Sequence, residues 1–249
     1  MIQVRPTTLE AILPLRDRYR QAMNAQIVHD AWHRRGFTTL YRLETKAQIL
    51  GYGAVGGRPG ESHDIVKEFY LAPAALADAP ALFESFLATA QPRWVEAQTN
   101  DPFLAPLLAR FGSQPAAQTY LFADSHSTAL SASGASLRKV TPEDHTMVFA
   151  HSTEPVGEWG LEQQGTLVAT GGLFYHYNPP FGDLYMEVAP GHRRRGHASY
   201  LLQELKRICY DLGHVPAARC DVGNVGSRAA LERAGMRICG QIVRAPIAT

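Results

Sequence analysis

The segment VAPGHRRRGHA, at residues 188–198, concentrates cationic side chains around one glycine, directly after an apolar run. Guanidinium groups bind phosphate oxygens well, and a glycine lets the backbone come close to a ligand. The residue types alone leave three interpretations open: a solvated charged surface, a nucleic-acid-binding patch, or a cradle for a phosphate group. The charge of the whole chain and the elements on either side of the segment separate them.

The overall charge argues against a nucleic-acid partner. The 249 residues include 24 Lys and Arg against 23 Asp and Glu, which gives a formal net charge of +1. A nucleic-acid-binding protein normally has a clear basic excess, so the arginine cluster is a local feature. The hydrophobic content of 45% is enough for a sizeable core, and the length allows one or two domains.

The cysteines indicate a reducing compartment. Cys209, Cys220 and Cys239 are odd in number, widely spaced and free of any C-x-x-C motif. A zinc site made from Cys209, His214 and Cys220 lacks the tight paired spacing of structural zinc sites, so we predict no metal. The N-terminal residues contain no apolar signal region, and the longest apolar stretch is too short to cross a bilayer. We therefore predict a cytoplasmic protein with no membrane partner.

The residues around the arginine cluster predict a strand, a turn and a helix. DLYMEV indicates a strand that ends at Pro190, which has no N–H to donate to a sheet. After the turn, SYLLQELKRICYDLG places apolar residues at helical spacing. A helix N-terminus offers unpaired N–H groups and a positive dipole end, so the turn is predicted to cradle a pyrophosphate. The segment matches neither the P-loop nor the G-x-G-x-x-G pattern.

Three patterns occur in the same order in both halves of the chain. VRPTTLEAI resembles LRKVTPEDH, EFYLAP resembles YMEVAP, and TNDPFLAPLLARFG resembles GNVGSRAALERAGM. Chance similarity between α/β segments is the alternative to a duplication. The Ser-rich and Ala-rich segment between the halves indicates a linker. We predict one unit at residues 1–124, a linker at 125–136 and a second unit at 137–249.

Alternating strand and helix patterns indicate an α/β protein. The sequence LVATGGLFYHYNPPFGDLYMEVAP predicts two strands joined at an Asn-Pro-Pro turn, which makes an antiparallel pair. We therefore expect a mixed, mostly antiparallel sheet flanked by helices.

The segment VAPGHRRRGHA resembles the acetyl-CoA signature of the GNAT superfamily of N-acetyltransferases. That signature is an apolar strand ending in V-x-P, followed by [QR]-x-x-G-x-[GA], and here Arg193, Gly196 and Ala198 fill it. A second element, NVGSRAALERAGM, resembles the family's N-x-x-[AS]-x-x-x-Y-x-x-x-G-[FM] helix through Asn224 and Ser227. The similarity covers the chain from about residue 137 to the end, and it implies two tandem GNAT-like domains.

The resemblance implies acetyl-CoA as the cofactor and a definite place for it. Two neighbouring strands, ending near Val188 and Asp221, would separate, and the exposed backbone of the first would bind the pantetheine arm as an added strand does. Asn224 would lie near the thioester, although a simple helix N-cap is an equal alternative and both roles are compatible. The implied cofactor-binding residues are Met186, Glu187, Val188, Arg193, Arg194, Arg195, Gly196, His197, Ala198, Ser199, Asn224 and Ser227.

The first half departs from this pattern. Aligning YLAP with EVAP puts Leu76 opposite Arg193 and Ala79 opposite Gly196, and places Pro80 where a donor N–H is needed. This loop has no cationic side chain. We therefore predict that the first unit is a degenerate copy that binds no CoA.

The catalytic residues of the family are not matched. Its acid is often the Tyr of the Asn-containing helix, which is Leu231 here, and its base often lies four residues before the Val of V-x-P, which is Leu184 here. Other groups must then supply the base that removes a proton from an amine. A catalytically inactive acyl-CoA-binding module is the alternative function.

Three side chains are the catalytic candidates. Glu187 is the carboxylate nearest the expected thioester, His176 lies on the preceding strand, and Tyr185 would serve as an acid. Each has a simpler structural interpretation: a salt-bridged strand residue, a hairpin-end histidine and a packing aromatic. Weaker candidates are Cys220, Asp221 and Trp159. We predict an N-acetyltransferase that acts on the amine of a small molecule or peptide, with a homodimer as a possible assembly.

Overall fold

The computed structural model describes residues 2–23, 25–57, 63–132 and 134–248. They form two compact units, Met1–Gln118 with Gly240–Thr249, and Thr119–Cys239. Both units combine a mixed, mostly antiparallel sheet with helices, as predicted. None of the described helices is long and apolar enough to cross a membrane.

The described residues of the first unit form five strands and four α-helices before its last strand. In chain order they are β1 (Gln3–Thr7), α1 (Leu9–Ala22), α2 (Asp30–Arg34), β2 (Thr38–Glu44), β3 (Ile49–Gly56), β4 (Ile65–Leu71), α3 (Ala79–Ala90), β5 (Trp94–Gln98) and α4 (Leu104–Phe111). The strand order is β1-β2-β3-β4-β5, with β4 and β5 parallel and the other pairs antiparallel.

The second unit has the same order of strands and the same two helices around its fifth strand, but its described residues form no α-helix where the first unit has α1 and α2. Its parts are β6 (Ala116–Asp124), β7 (Ala135–Lys139), β8 (Trp159–Gln163), β9 (Thr166–Phe174), β10 (Phe181–Val188), α5 (His197–Asp211), β11 (Val215–Asp221), α6 (Val225–Arg233) and β12 (Met236–Pro246). The strand order is β7-β8-β9-β10-β11, with only β10 and β11 parallel among these pairs. The repeat confirms the tandem architecture predicted from the internal similarity.

The boundaries between the units differ from those predicted at residues 124 and 137. From residue 119 onward β6 pairs with β11, so its second part belongs to the second unit. From Ile242 onward β12 pairs with β5, so the end of the chain belongs to the first unit. Each unit therefore includes part of a strand from the other half of the sequence. The second unit includes the end of β6, and the first unit includes the end of β12.

The predicted linker, residues 125–136, is held against the second unit where the structure describes it. The carbonyl of His126 accepts a hydrogen bond from the Lys206 Nζ at 2.8 Å. The Gln203 Oε1 accepts from the Thr128 hydroxyl and the Leu130 N–H, both at 2.7 Å. Lys206 and Gln203 both lie on α5, so these hydrogen bonds hold this segment against α5.

The core of the second unit lies between the sheet and α5. Its packing shows which side chains of β10 face α5 and which face away from it. Leu184 and Val188 pack with Leu201 and Leu205 of α5. Because strand side chains alternate, Asp183, Tyr185 and Glu187 point to the opposite face. The two positions where the family pattern is broken, Leu184 and Leu231, are both buried in this core.

Candidate active site

Strands β10 and β11 separate at their carboxyl ends. They pair over three residues only, Phe181–Asp183 with Val215–Ala217, and beyond this point β11 pairs with β6. The rest of β10, residues 184–188, is left without a β11 partner. The separation predicted from the sequence is therefore confirmed, and it exposes a strand edge to whatever occupies the gap.

A cavity of about 660 Å³ lies at this gap, within the second unit. Its walls come from the end of β10, the turn that follows, the first turn of α5 and the start of α6. Most of the predicted cofactor-binding residues line it: Met186, Glu187, Val188, Arg193, Arg194, Gly196, His197, Ala198, Ser199, Asn224 and Ser227. Arg195, Tyr185 and His176 are not among the lining residues.

The turn brings the N-terminus of α5 to the cavity. Gly196 is the N-cap, with φ of 85°, and no side chain caps the helix there. A Cβ at Gly196 would meet nothing within 4 Å, so the glycine faces open space rather than a packed wall. Arg193 donates from Nε to the Val188 carbonyl at 3.2 Å, which ties the turn to the end of β10. The uncapped N–H groups and the arginines fit an anionic ligand with phosphate groups.

Two histidines at the turn have buried ring nitrogens with no hydrogen-bond partner in the part of the chain that the structure describes. His197 is 3% exposed, and neither of its ring nitrogens finds a hydrogen bond among the described residues. His192, with its ring centroid 6.2 Å away, has the same unpartnered Nδ1. Burial lowers the pKa of His197, and the charges of His192 and Arg195 lower it further, so His197 is a neutral donor and acceptor lining the cavity. The sequence interpretation missed His192, although its place in the basic turn was a usable signal.

The start of α6 forms the opposite wall. Asn224 is the N-cap of α6, and its side-chain oxygen accepts from the Ser227 N–H at 3.0 Å. The N-cap alternative for Asn224 is therefore confirmed. Its position on the cavity leaves the amide NH₂ as the part of the side chain suited to a ligand.

Glu187 holds a turn and is poorly suited to act as a base. Its carboxylate accepts from the N–H groups of Ser152, Thr153 and Glu154, each at 3.0 Å, and from the Ser152 hydroxyl at 2.8 Å. Burial alone would raise the pKa of Glu187, but these hydrogen bonds outweigh burial and lower it to about 2. A carboxylate so fully bonded and so weakly basic is a structural anchor. No sequence motif points to its partners, which lie more than 30 positions earlier.

Replacing Glu187 with Gln is expected to lower the free energy of unfolding by about 1–3 kcal/mol at pH 7, because several donors lose their shared charged acceptor. The ionised carboxylate has a folded pKa near 2 against an ordinary value of 4.5, so its contribution is present above 4.5 and is lost as the pH falls toward 2. Urea unfolding at pH 7 and pH 3 should show the gap between variant and wild type closing at the lower pH. The exposed Glu158→Gln is the control, and equal stability of both variants at pH 7 would contradict the anchor role.

The other catalytic candidates lie outside the cavity. Tyr185 is on the face of β10 away from α5, and His176 is in the connection between β9 and β10, not on the preceding strand as predicted. Tyr185 stacks on Phe174 with ring centroids 4.2 Å apart, and the His176 Nε2 lies 3.3 Å from an Asp183 carboxylate oxygen. Cys220 is buried in the core, and Trp159 packs against the same core. The structure therefore brings His176 and Tyr185 to one polar face, and it gives Cys220 and Trp159 packing roles.

Comparisons with known proteins agree with this architecture. Residues 122–236 match the model of the Acetyltransferase (GNAT) family. The fold is similar to a GNAT-family acetyltransferase from Colwellia psychrerythraea, with a TM-score of 0.81 and 17% identity over 99% of this chain and 100% of that one. It is also similar to a tandem GNAT protein from the clavulanic acid biosynthesis pathway, with a TM-score of 0.62 and 13% identity over 100% and 99% of the chains. A GCN5-related N-acetyltransferase from Sphaerobacter thermophilus gives 0.59 and 15% over 100% and 96%. A search of curated protein sequences finds no significant match.

Proposed function

The chain carries a GNAT-family acetyltransferase domain at residues 122–236, and from this premise we propose that the protein is an acetyl-CoA-dependent N-acetyltransferase whose second unit binds the cofactor. One observation carries the proposal. The separated ends of β10 and β11 and the uncapped N-terminus of α5 open on the same cavity. A strand edge can bind the amide-containing arm of CoA, and the N–H groups of a helix N-terminus can bind its phosphates.

Different residues of the cavity would bind different parts of CoA. The first-turn N–H groups of α5, with Arg193 and Arg194, would hold the pyrophosphate, and the edge of Met186–Val188 would pair with the pantetheine amides. When bound, acetyl-CoA supplies the acetyl thioester. In this proposal the thioester end of the ligand would lie where β10 and β11 separate, beside the turn that Glu187 anchors.

Two measurements on the purified full chain test this function. Calorimetry with CoA should give a saturable heat, and release of CoA thiol from acetyl-CoA should depend on an amine from a panel of alkylamines, diamines, amino acids and short peptides. Tight CoA binding without thiol release for any amine would instead favour a catalytically inactive acyl-CoA-binding module. Leu231 and Leu184, buried at the family's acid and base positions, are the observations that favour that second function.

We expect one CoA per chain. In the first unit, the turn equivalent to the arginine turn is Pro73–Asp78, which contains no cationic residue, and α3 begins with Pro80 in its first turn. It therefore offers neither the charge nor the full set of N–H groups for a pyrophosphate. Calorimetry should give a stoichiometry of one, and Leu76→Arg should leave it at one. Two CoA per chain would contradict the degenerate first unit.

A further inference from the structure

The wall of the cavity that α6 forms carries a cation that the N-terminus of α5 does not account for. We propose that Arg233, the last residue of α6, binds the ribose 3′-phosphate of CoA and so distinguishes CoA from 3′-dephospho-CoA. This inference rests on the proposed binding of CoA in the second unit, and it adds the residue that selects the complete cofactor.

One face of α6 lines the cavity. Four residues at positions i, i+3, i+4 and i+7 of the helix all contribute to the wall: Gly226, Ala229, Ala230 and Arg233. Residues at this spacing lie on the same side of a helix. A Cβ at Gly226 would meet only the Asn224 side-chain oxygen within 4 Å, at 3.8 Å, and the two alanines are short. The wall therefore leaves room for a ligand, and Arg233 is the one long side chain among these four.

The length of this wall indicates a ligand larger than a single phosphate group. Asn224, at the start of α6, and Arg233, at its end, both line the cavity. Nine residues of helix between them correspond to about 13 Å at a rise of 1.5 Å per residue. A cavity of about 660 Å³ that follows α6 over this length fits an extended molecule with separate anionic groups.

The guanidinium of Arg233 is not engaged by the protein. Arg233 is exposed, and it forms no hydrogen bond or ion pair within the part of the chain that the structure describes. Arg228, five residues earlier on α6, is engaged: its Nε lies 2.9 Å from a Glu232 carboxylate oxygen, and its guanidinium lies over the Tyr120 ring. Arg228 does not line the cavity. Of these two arginines of α6, the one on the cavity is therefore the one free to bind a ligand.

The charges on the cavity match more than one anionic group. Among the described residues, three arginines line it, Arg193, Arg194 and Arg233, against one carboxylate, that of Glu187. This carboxylate already accepts four hydrogen bonds from the turn at residues 152–154. CoA has two separate anionic groups, a pyrophosphate and a ribose 3′-phosphate. The N-terminus of α5 with Arg193 and Arg194 suits the first, which leaves Arg233 for the second.

His197 is an independent sign that a ligand fills this cavity. It lines the cavity and is 3% exposed, and its two ring nitrogens have no hydrogen-bond partner among the described residues. A buried polar group without a partner costs stability unless a ligand or water satisfies it. His197 belongs to α5, across the cavity from α6, so this sign does not depend on the charge of Arg233.

Calorimetric titration of the full chain with CoA and with 3′-dephospho-CoA tests the assignment. Wild-type protein should bind CoA about 10–100-fold more tightly, because the charge-assisted hydrogen bonds between a guanidinium and the 3′-phosphate are lost with that phosphate. Arg233→Gln should weaken CoA by the same factor and leave the affinity for 3′-dephospho-CoA within about twofold of wild type. Arg233→Lys keeps the charge without the forked geometry, so its preference for CoA should lie between the two.

Arg237→Gln is the matched control. Arg237 is exposed and, like Arg233, forms no ion pair within the described ranges, but it does not line the cavity. Its replacement removes the same charge from the second unit and should keep the wild-type preference for CoA. Raising the ionic strength should reduce the preference of wild type and leave that of Arg233→Gln unchanged, because salt screens an exposed charge pair. Circular dichroism should show native folding for every variant, since neither arginine has a partner to lose.

The possible failures of the assignment and of the proposed function are distinguishable. Wild-type protein that binds CoA and 3′-dephospho-CoA equally would overturn the assignment alone, and so would Arg233→Gln that weakens both ligands by the same factor. An equal loss of preference in Arg237→Gln would also overturn it, because net charge would then explain the effect. Wild-type protein that binds neither ligand would overturn the proposed function together with the assignment.

Discussion

Replacing Gly196 with valine is expected to weaken CoA binding by about a hundredfold or more while leaving the fold intact. Gly196 is the N-cap of α5 with φ of 85°, a conformation that a β-branched side chain adopts only under strain. A Cβ there meets no protein atom within 4 Å, so the added side chain projects into the open cavity rather than into the core. It would cover the N–H groups that face the phosphates. Two lost charge-assisted hydrogen bonds at about 1.5–3 kcal/mol each account for a change of that size.

The same turn supplies matched controls. Gly191 also has open space around its Cβ but no positive φ, and it does not line the cavity, so Gly191→Val should bind CoA nearly as wild type does. Arg193→Glu, on the cavity, should weaken binding far more than Arg195→Glu, which lies outside the lining. Calorimetric titration of all four variants with CoA is the measurement. Wild-type affinity in Gly196→Val, or equal effects of the two arginine reversals, would contradict the site.

The order strand, turn and helix around Gly196 was predictable because each part is encoded locally. Pro190 ends β10, the apolar spacing defines α5, and the glycine marks the cap. The resemblance to the GNAT signature predicted the separation of β10 and β11. Along the strand, simple alternation assigned Glu187 to the face opposite the core, as the structure has it.

The functions of individual polar groups were not predictable, because their partners are remote in sequence. Glu187 looked like a base since it is the carboxylate nearest the thioester, but the amides that it accepts from belong to a turn with no sequence motif. The exchange of the last strands, β6 and β12, was missed because strand pairing over such distances leaves no local pattern.

In the first unit, Glu68→Gln is expected to lower the free energy of unfolding by about 3–5 kcal/mol, since it leaves a buried arginine without its partner. Glu68 on β4 is fully buried and forms an ion pair with Arg16 of α1, which is itself 1% exposed. The same carboxylate accepts from the Tyr52 hydroxyl at 2.9 Å and from the His29 N–H at 3.0 Å. Neutral glutamine keeps the volume and one acceptor oxygen but removes the charge that Arg16 requires.

The pH dependence of this pair has a definite sign. Burial alone would raise the pKa of Glu68, but the charges of Arg16 and His33, with hydrogen bonds from His29 and His33, hold it well below its usual value. A lowered folded pKa contributes stability that is present above the unfolded value and is lost as the pH falls through the folded one. Glu68→Gln should therefore flatten the acid limb of stability against pH.

Urea unfolding at pH 7, followed by Trp fluorescence, measures the effect of Glu68→Gln. Asp17→Asn is the control, because Asp17 pairs with Arg20 at the surface and such pairs contribute at most about 1 kcal/mol. The double variant Arg16→Met with Glu68→Gln should lose less than the sum of its two single variants, since neither charge then remains buried alone. A loss below about 1 kcal/mol for Glu68→Gln, or strict additivity in the double variant, would contradict the view that this ion pair holds α1 to the sheet of the first unit.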